Sequence, residues 1–284
     1  MSIVVTGATG HLGRHVVEQL IEKVPAGEVT AVVRDPAKAA DFAARGVKIA
    51  VADYNAPETF DGLFAAGDKV LLISGSEIDK GRVQQHRIVI DAAKAAGVAL
   101  LAYTSAPGTL TAALADDHRG TERDLIASGV PYALLRNGWY HENYTENLAP
   151  VLAHGAVVQA AGDGKVSAAA RADYAAAAVA VLTGEGHENQ TYELGGDEAW
   201  GFAEYAAELS RQTGQEIVYS PVSVEALTGI LTGAGLPAPL AAIIAGVDAS
   251  IEKGELVVTS GDLARLIGRP TTPLAEAVVA AVKG

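Results

Sequence analysis

Ile3-Val4-Val5-Thr6-Gly7-Ala8-Thr9-Gly10-His11-Leu12-Gly13 is the stretch that decides the fold. A β-branched apolar run enters a glycine-rich turn, and the turn opens a segment, residues 15–21, with apolar side chains at helical spacing. Strand, tight turn and helix in that order form the context a dinucleotide-binding loop requires. Glycine lets the backbone turn sharply and approach a pyrophosphate with no Cβ in the way. The first turn of the helix then offers unpaired N–H groups and a positive dipole end to the phosphates. The competing reading is an ordinary glycine turn; the position directly after a strand favours the nucleotide.

Outward from this loop, residues 29–33, 47–51, 69–73, 98–103 and 132–135 read as further strands. The run at 69–73 is almost continuously apolar, as in strands buried on both faces. Helical patterns lie between the strands, clearest over 81–96, where Gly97 stands as a C′ glycine. Six strands alternating with helices predict an α/β fold with a doubly wound parallel sheet of Rossmann type. Right-handed crossovers put the loops after the strands on one edge, where cofactor and substrate are expected. After Gly138 the alternation weakens. Residues 155–165 are glycine-punctuated, 172–182 read as a helix, 191–194 as a short strand, and from Trp200 the chain is mostly helical with a short strand at 216–219. This predicts a dinucleotide-binding domain over 1–155. Residues 156–284 supply the remaining sheet elements and a smaller, mostly helical lobe over the carboxyl edge, the two parts being interleaved.

Composition narrows the chemistry. The 284 residues are 49% hydrophobic but only 5% aromatic, and alanine makes up much of the rest, which favours helices packed closely on a sheet over an aromatic-rich sandwich. A net charge of -13 argues against an extended nucleic-acid or anionic-membrane surface. With no cysteine, disulfides, thiol chemistry and zinc–thiolate sites are excluded. No basic segment with an apolar core precedes the first strand, and stretches such as 175–182 are too short to span a bilayer. A soluble cytoplasmic protein is expected.

Each strand end carries a candidate. The second ends in Val33-Arg34-Asp35. An acid at this place serves the ribose hydroxyls of NAD, and a cation suits the 2′-phosphate of NADP, so Arg34 favours NADP while Asp35 could reach a ribose. Asp53-Tyr54, after the third strand, offers an acid and a ring for an adenine. The fourth ends in Ser74-Gly75-Ser76, small residues that permit close approach or simply form a turn. The fifth ends in Tyr103-Thr104-Ser105. In ordinary short-chain dehydrogenases a serine here works with a Tyr-x-x-x-Lys pair on the next helix, the tyrosine giving the proton and the lysine lowering its pKa. Thirteen residues after Ser105 stands His118, and Glu122 follows four further on. The spacing survives and the residues do not. His118 titrating near neutrality, with Glu122 raising its pKa, is one reading; helix capping or structural hydrogen bonding is the other. The sixth strand runs into Arg136-Asn137-Gly138-Trp139-Tyr140-His141-Glu142-Asn143, where amides and flat rings cluster at the edge expected for a nicotinamide. Tyr140 and Asn143 are the favoured catalytic candidates; core packing explains Trp139 as well as function does. His11 and His15 have the spacing of a metal pair, but His11 lies in the glycine loop and no third ligand is suggested. No Gly-x-Ser-x-Gly element marks a serine hydrolase.

Together these elements resemble the NmrA-like atypical short-chain dehydrogenases, and within them the type 2 NAD(P)H:quinone oxidoreductases. The loop Gly7–Gly13, Val33-Arg34-Asp35-Pro36-Ala37-Lys38, Leu71-Leu72-Ile73-Ser74, Ala102-Tyr103-Thr104-Ser105 and Leu135-Arg136-Asn137-Gly138-Trp139-Tyr140 carry the likeness. So do Ala161-Gly162-Asp163-Gly164-Lys165, Arg171-Ala172-Asp173-Tyr174 and Ile267-Gly268-Arg269-Pro270-Thr271-Thr272, so that it covers nearly the whole chain. The glycine loop is shared by a very large superfamily; the Arg-Asn-Gly-Trp-Tyr and Arg-Ala-Asp-Tyr segments are far more specific. The resemblance implies NADPH contacts at Gly7, Ala8, Thr9, Gly10, His11 and Leu12, at Arg34, and at Ile73, Ser74 and Gly75. It implies others at Asn137, Gly138, Trp139, Tyr140, His141 and Glu142, and at Ala169, Ala170, Arg171 and Ala172; Asp53 and Tyr103 complete the expected cofactor set. The sequence departs at Gly75, where serine is more usual, and in the loop 106–115, which borders the substrate edge. The resulting expectation is an NADPH-dependent oxidoreductase passing a hydride to a small-molecule quinone, with Tyr140, Asn143 or His118 meeting the charge on the quinone oxygen. No metal, nucleic acid or membrane partner is expected, and a homodimer is allowed. The rival is an NADP(H)-binding redox sensor of NmrA type with no catalysis; a third reading is a reductase or isomerase of another small carbonyl or aromatic compound.

Overall fold

The computed structural model describes residues 2–75, 81–111 and 114–283. Ser76, and residues 112 and 113 of the loop 106–115, lie outside them. The chain runs β1 (Ile3–Val5), α1 (His11–Lys23), β2 (Val29–Val33), α2 (Ala40–Ala44), β3 (Lys48–Val51), β4 (Lys69–Leu72), α3 (Arg82–Ala96), β5 (Leu100–Ser105), α4 (Leu114–Ser128) and β6 (Tyr132–Asn137). It continues through α5 (Glu142–Thr145), α6 (Ala149–His154), β7 (Ala156–Gln159), β8 (Lys165–Val166), α7 (Arg171–Thr183), β9 (Gln190–Leu194), β10 (Trp200–Gly201) and α8 (Phe202–Thr213). Then come β11 (Val218–Pro221), α9 (Val224–Gly233), α10 (Ala238–Glu252), α11 (Asp262–Ile267) and α12 (Leu274–Lys283).

A seven-stranded sheet has the order β3-β2-β1-β4-β5-β6-β9. The pairings among its first six strands are parallel, with Val4 set between Thr30 and Val70. The order reverses between β1 and β4, the switch point at which open α/β sheets bind ligands. The glycine loop therefore leaves β1 at that point. Val4, Val70, Leu72, Leu101, Tyr103 and Leu134 form the core with Val89, Ile90 and Ala93 of α3. β1, β2, β4 and β5 are buried on both faces, which is why they read as apolar runs. Strand ends differ from the sequence expectation by one or two residues, and most tellingly β5 continues to Ser105 and β6 to Asn137, because the ladder pairs Thr104 with Leu135 and Ser105 with Arg136 beyond the apolar stretch. Gly97 closes α3 in the left-handed region, φ 68°, as expected.

The chain forms two compact units. One comprises residues 1–106, 117–137 and 171–192; the other 107–116, 138–170 and 193–284. A cut at 155 does not separate them, and α7 shows why. Its buried alanines let it approach α1 closely, and Gln19 of α1 donates to the carbonyl of Ala172 at 3.0 Å. α7 is thus a cover helix of the first unit. The second unit pairs β7 with β11 in parallel and β8 with β10 antiparallel, accompanied by α8–α12. No helix among the described residues is long and apolar enough to cross a membrane.

Candidate active site

The loop after β1 is built around glycines that nothing larger replaces. Gly7 has φ +62°, and the Gly10 amide donates to its carbonyl at 3.0 Å. A Cβ on Gly13 would stand 2.2 Å from the Gly7 oxygen and 2.8 Å from Ala8 Cα. α1 therefore starts hard against the loop. Gly10 caps it with no side-chain bond, and its first turn holds no acid. A helix start with no side-chain cap and no acid is a place where an anion is stabilised. Ala8 and Leu12 are buried, whereas Gly7, Gly10 and His11 are exposed and Thr9 half-buried. A glycine loop packed this tightly on a helix N-terminus, at a switch point, fits the pyrophosphate of a dinucleotide.

At the end of β2, Asp35 caps the next turn by accepting from the Ala37 amide at 3.0 Å. Arg14 is committed nearby: its guanidinium grips Asp41 in a fork, bonds the Lys38 carbonyl and lies 4.9 Å over the Phe42 ring. Arg34 is exposed at the strand end. With Asp35 turned to capping, the position suits a phosphate better than a ribose hydroxyl. Asp53 also serves a turn, accepting from the amide and side chain of Asn55. Tyr54 beside it is a bracket, its hydroxyl donating to the Ile73 carbonyl at 2.9 Å and bonding Thr6. Burial raises the pKa of that phenol.

Ile73, Ser74 and Gly75 form a strap whose amides are held by side chains from three elements. Ile73 N–H donates to Thr6 Oγ1 (3.2 Å), Ser74 N–H to Thr104 Oγ1 (2.9 Å) and Gly75 N–H to His86 Nε2 (3.0 Å). With Nε2 accepting, the His86 proton sits on Nδ1 and goes to Thr121 Oγ1 at 2.8 Å, and Thr121 donates to the Asp117 carbonyl. Burial first, then His118 and Arg82, push the His86 pKa down to about 3, so the ring is neutral and remains an acceptor. Sequence reasoning missed Thr6, Thr104 and His86. The two threonines carried a faint signal as polar residues at strand ends; His86 carried none.

His118 corrects an expectation. It is 9% exposed. Its Nε2 faces Arg82 NH1 at 3.3 Å and its Nδ1 the Tyr103 hydroxyl at 2.8 Å. Because guanidinium only donates, the ring's own proton lies on Nδ1 and goes to Tyr103. Burial and the Arg82 charge lower its pKa to about 3, so it does not titrate near neutrality. Glu122 does not raise that value, because it is paired elsewhere: both its oxygens accept from Arg136, and Ser105 donates to it. Tyr103 is corrected too. Its side chain is fully buried in the core and bonded to His118, and burial raises its pKa, so the phenol faces no ligand.

The remaining candidates lie in the second unit. Tyr140 bridges Ala169; the His141 amide donates to the Ala169 carbonyl (3.0 Å) and the Ala169 amide to that of Trp139 (3.1 Å). Two segments singled out thirty residues apart are thus bonded together. The Asn143 amide donates to the Tyr140 carbonyl at 3.2 Å, placing the two favoured catalytic residues in one turn. Tyr140 and Glu142 are half-buried and Asn143 exposed. His141 departs from its neighbours: its ring is 1% exposed, stacked on Trp200, with Nε2 donating to the Thr272 carbonyl at 3.0 Å. Any contact it makes with a cofactor is through its backbone. Among the described residues no group of three or more acids and histidines could hold a metal.

A sequence profile described as NAD(P)H-binding matches residues 7–185, which takes in the cradle, the strap and α7. The chain belongs to the NAD(P)H-binding family. It is 48% identical to quinone oxidoreductase 2 of Escherichia coli over 278 residues, 97% of each chain. The crystal structure of the E. coli NADPH-dependent quinone oxidoreductase complexed with NADPH superposes with a TM-score of 0.95, at 47% identity and 99% coverage of both chains. Citrobacter sp. triphenylmethane reductase complexed with NADP(H) follows at TM-score 0.94 and 42% identity, over 99% of this chain and 100% of that one. An NAD(P)H azoreductase of Xenophilus azovorans is 32% identical over 96% of each chain. The NmrA-like short-chain dehydrogenase reading of the sequence and its Rossmann-type sheet agree with these likenesses.

Proposed function

We propose that this protein is an NADPH-dependent quinone oxidoreductase acting by two-electron reduction. The observation that carries this is a glycine cradle with Arg34 at the next strand end, in a chain half identical along its length to a quinone oxidoreductase. Gly7 to Leu12 bind the pyrophosphate through amides and the α1 terminus, and Arg34 takes the 2′-phosphate. Ile73 to Gly75, the backbone of Asn137 to Glu142, and Ala169 to Ala172 line the rest of the cofactor. NADPH, when bound, supplies the hydride. Tyr140 and Asn143 orient the quinone and donate hydrogen bonds to its oxygen as negative charge develops there, with the final proton from Tyr140 or solvent. Quinones accept hydride readily, so the place of the missing Tyr-x-x-x-Lys pair needs no strong acid, and His118 is left out of the chemistry.

The test is loss of NADPH absorbance with a simple benzoquinone against a no-enzyme control. Protein that binds NADPH without accelerating that loss would be the redox sensor instead, a reading not favoured by the relatives above. Arg34→Ala should weaken NADPH about tenfold to a hundredfold, the worth of a charge-assisted hydrogen bond, and leave NADH almost unaffected; equal losses would remove the phosphate assignment. We place the protein in the cytoplasm, in keeping with its lack of cysteines. Light scattering decides between monomer and homodimer.

A further inference from the structure

We propose that Glu122 is a positioning residue that sets the point from which the Asn137 segment leaves the sheet, and so the placement of the nicotinamide end of the cofactor. The proposal rests on the NADPH reading above. Glu122 projects from α4 and is 7% exposed. Its Oε1 accepts from Ser105 Oγ (2.6 Å) and Arg136 Nε (2.9 Å), and its Oε2 accepts from Arg136 NH2 (2.7 Å). Ser105 ends β5, Arg136 is the penultimate residue of β6, and the two are partners in the last rung of that ladder. One carboxylate therefore joins a helix to two strand ends where the β5–β6 ladder stops.

Three features argue for geometry over bulk stability. The Arg136–Glu122 contact is a fork of two parallel charge-assisted bonds, which fixes direction as well as distance. A buried ion pair is generally no more stabilising than well-packed apolar groups of the same volume. The next residue is Asn137, the first of the segment assigned to the cofactor, and from Gly138 the chain has left β6. The Ser105 hydroxyl, at the place where short-chain dehydrogenases keep a reacting serine, is here spent on Glu122. The cluster is thus turned inward as a brace and does not touch substrate.

The experiment compares wild type with Glu122→Gln, which keeps the shape and removes the charge, and with the double variant Glu122→Leu/Arg136→Met, which removes the pair together. Melting temperature, Kd for NADPH, the emission of bound NADPH and kcat with benzoquinone are read for each. Glu122→Gln is expected to lower kcat about tenfold to a hundredfold, as for a misplacement of up to about 1 Å. Its Kd should change little, because the phosphate contacts are untouched, and the emission maximum of bound NADPH should shift. The double variant should regain melting temperature without regaining kcat. A double variant that regains both, or a Glu122→Gln enzyme whose kcat and bound emission match wild type, overturns the proposal. Should either variant fail to fold, Arg136→Lys, which keeps the charge and loses the fork, is read the same way. The emission is measured without quinone, so Glu122 stays testable even if benzoquinone turnover fails and the activity reading falls with it.

Discussion

His118 and Tyr140 entered as candidates for the same task and sit in opposite surroundings. Around His118, Arg82, Tyr103, Thr121 and His86 form a buried network in which each imidazole has both nitrogens engaged. Tyr140 and Asn143 share a short turn whose backbone is tied to Ala169, while their side chains are half-buried and exposed. A side chain committed at every polar atom holds structure in place. A partly exposed one on a fixed backbone can meet a substrate.

The largest effect should come from the cradle. Gly13→Val places a side chain where even a Cβ meets backbone at 2.2 Å. Forcing it in costs about 1–3 kcal/mol of stability or more, and NADPH titration should show binding abolished. If binding survives, the loop is not the pyrophosphate site. Next, Tyr140→Phe with Asn143→Ala should reduce kcat about a hundredfold, the scale of losing donors to a developing oxyanion. His118→Gln should lower the melting temperature and leave the shape of the pH–rate profile unchanged. A profile that loses its acid limb in His118→Gln would restore the histidine to the mechanism and erase the contrast.

The pH dependence of stability sharpens the same comparison. His86 and His118 have native pKa values near 3, against 6.5 for the free side chain. Below 6.5 the unfolded chain takes up protons that the native rings refuse, so stability falls as pH drops from about 6.5 towards 3. Asp248 acts in the other direction. It is buried, accepts from the Ala160 amide at 2.7 Å, and burial raises its pKa from 3.8 to about 6. Its native state holds the proton more tightly, so its cost grows as pH rises from 3.8 through about 6. Denaturant melts should show Asp248→Asn more stable than wild type at pH about 7.5, with the gain vanishing near pH 4. A gain that is independent of pH would contradict the linkage. The smallest effect is expected at Gly75. Its absent Cβ would lie 3.3 Å from Gln85 Oε1, a buried oxygen with no hydrogen-bond partner among the described residues. Gly75→Ser, the residue usual in the resembling family, brings a donor to that oxygen and should change NADPH affinity less than about threefold, within what surface-scale changes do.

Much of the fold was legible because buried parallel strands are written as apolar runs and their helices as amphipathic ones. The ends of β5 and β6 were not, because Thr104-Ser105 and Arg136-Asn137 are polar and continue the strands beyond the apolar runs through backbone pairing. The glycine cradle was legible because only glycine fits there. Arg34 was singled out by its place at a strand end, and the structure leaves it exposed there. The His86–Gly75 and Glu122–Arg136 contacts were not, since each joins elements by tertiary packing with no fixed spacing in sequence. The misplaced role of His118 came from reading a helical interval as a catalytic one, when burial first, and then Arg82 far upstream, keep the ring neutral.

The strap at Ile73–Gly75 has a consequence for how a cofactor is met. Its amides are anchored from the turn after β1, from β5 and from α3, so the freedom of these residues is lost when the chain folds and not when a ligand arrives. On the proposed cofactor assignment, a dinucleotide reaching this edge finds a finished wall with its donors already turned inward. Recognition along it falls to carbonyls, side chains and shape, and this stretch adds no ordering cost to association.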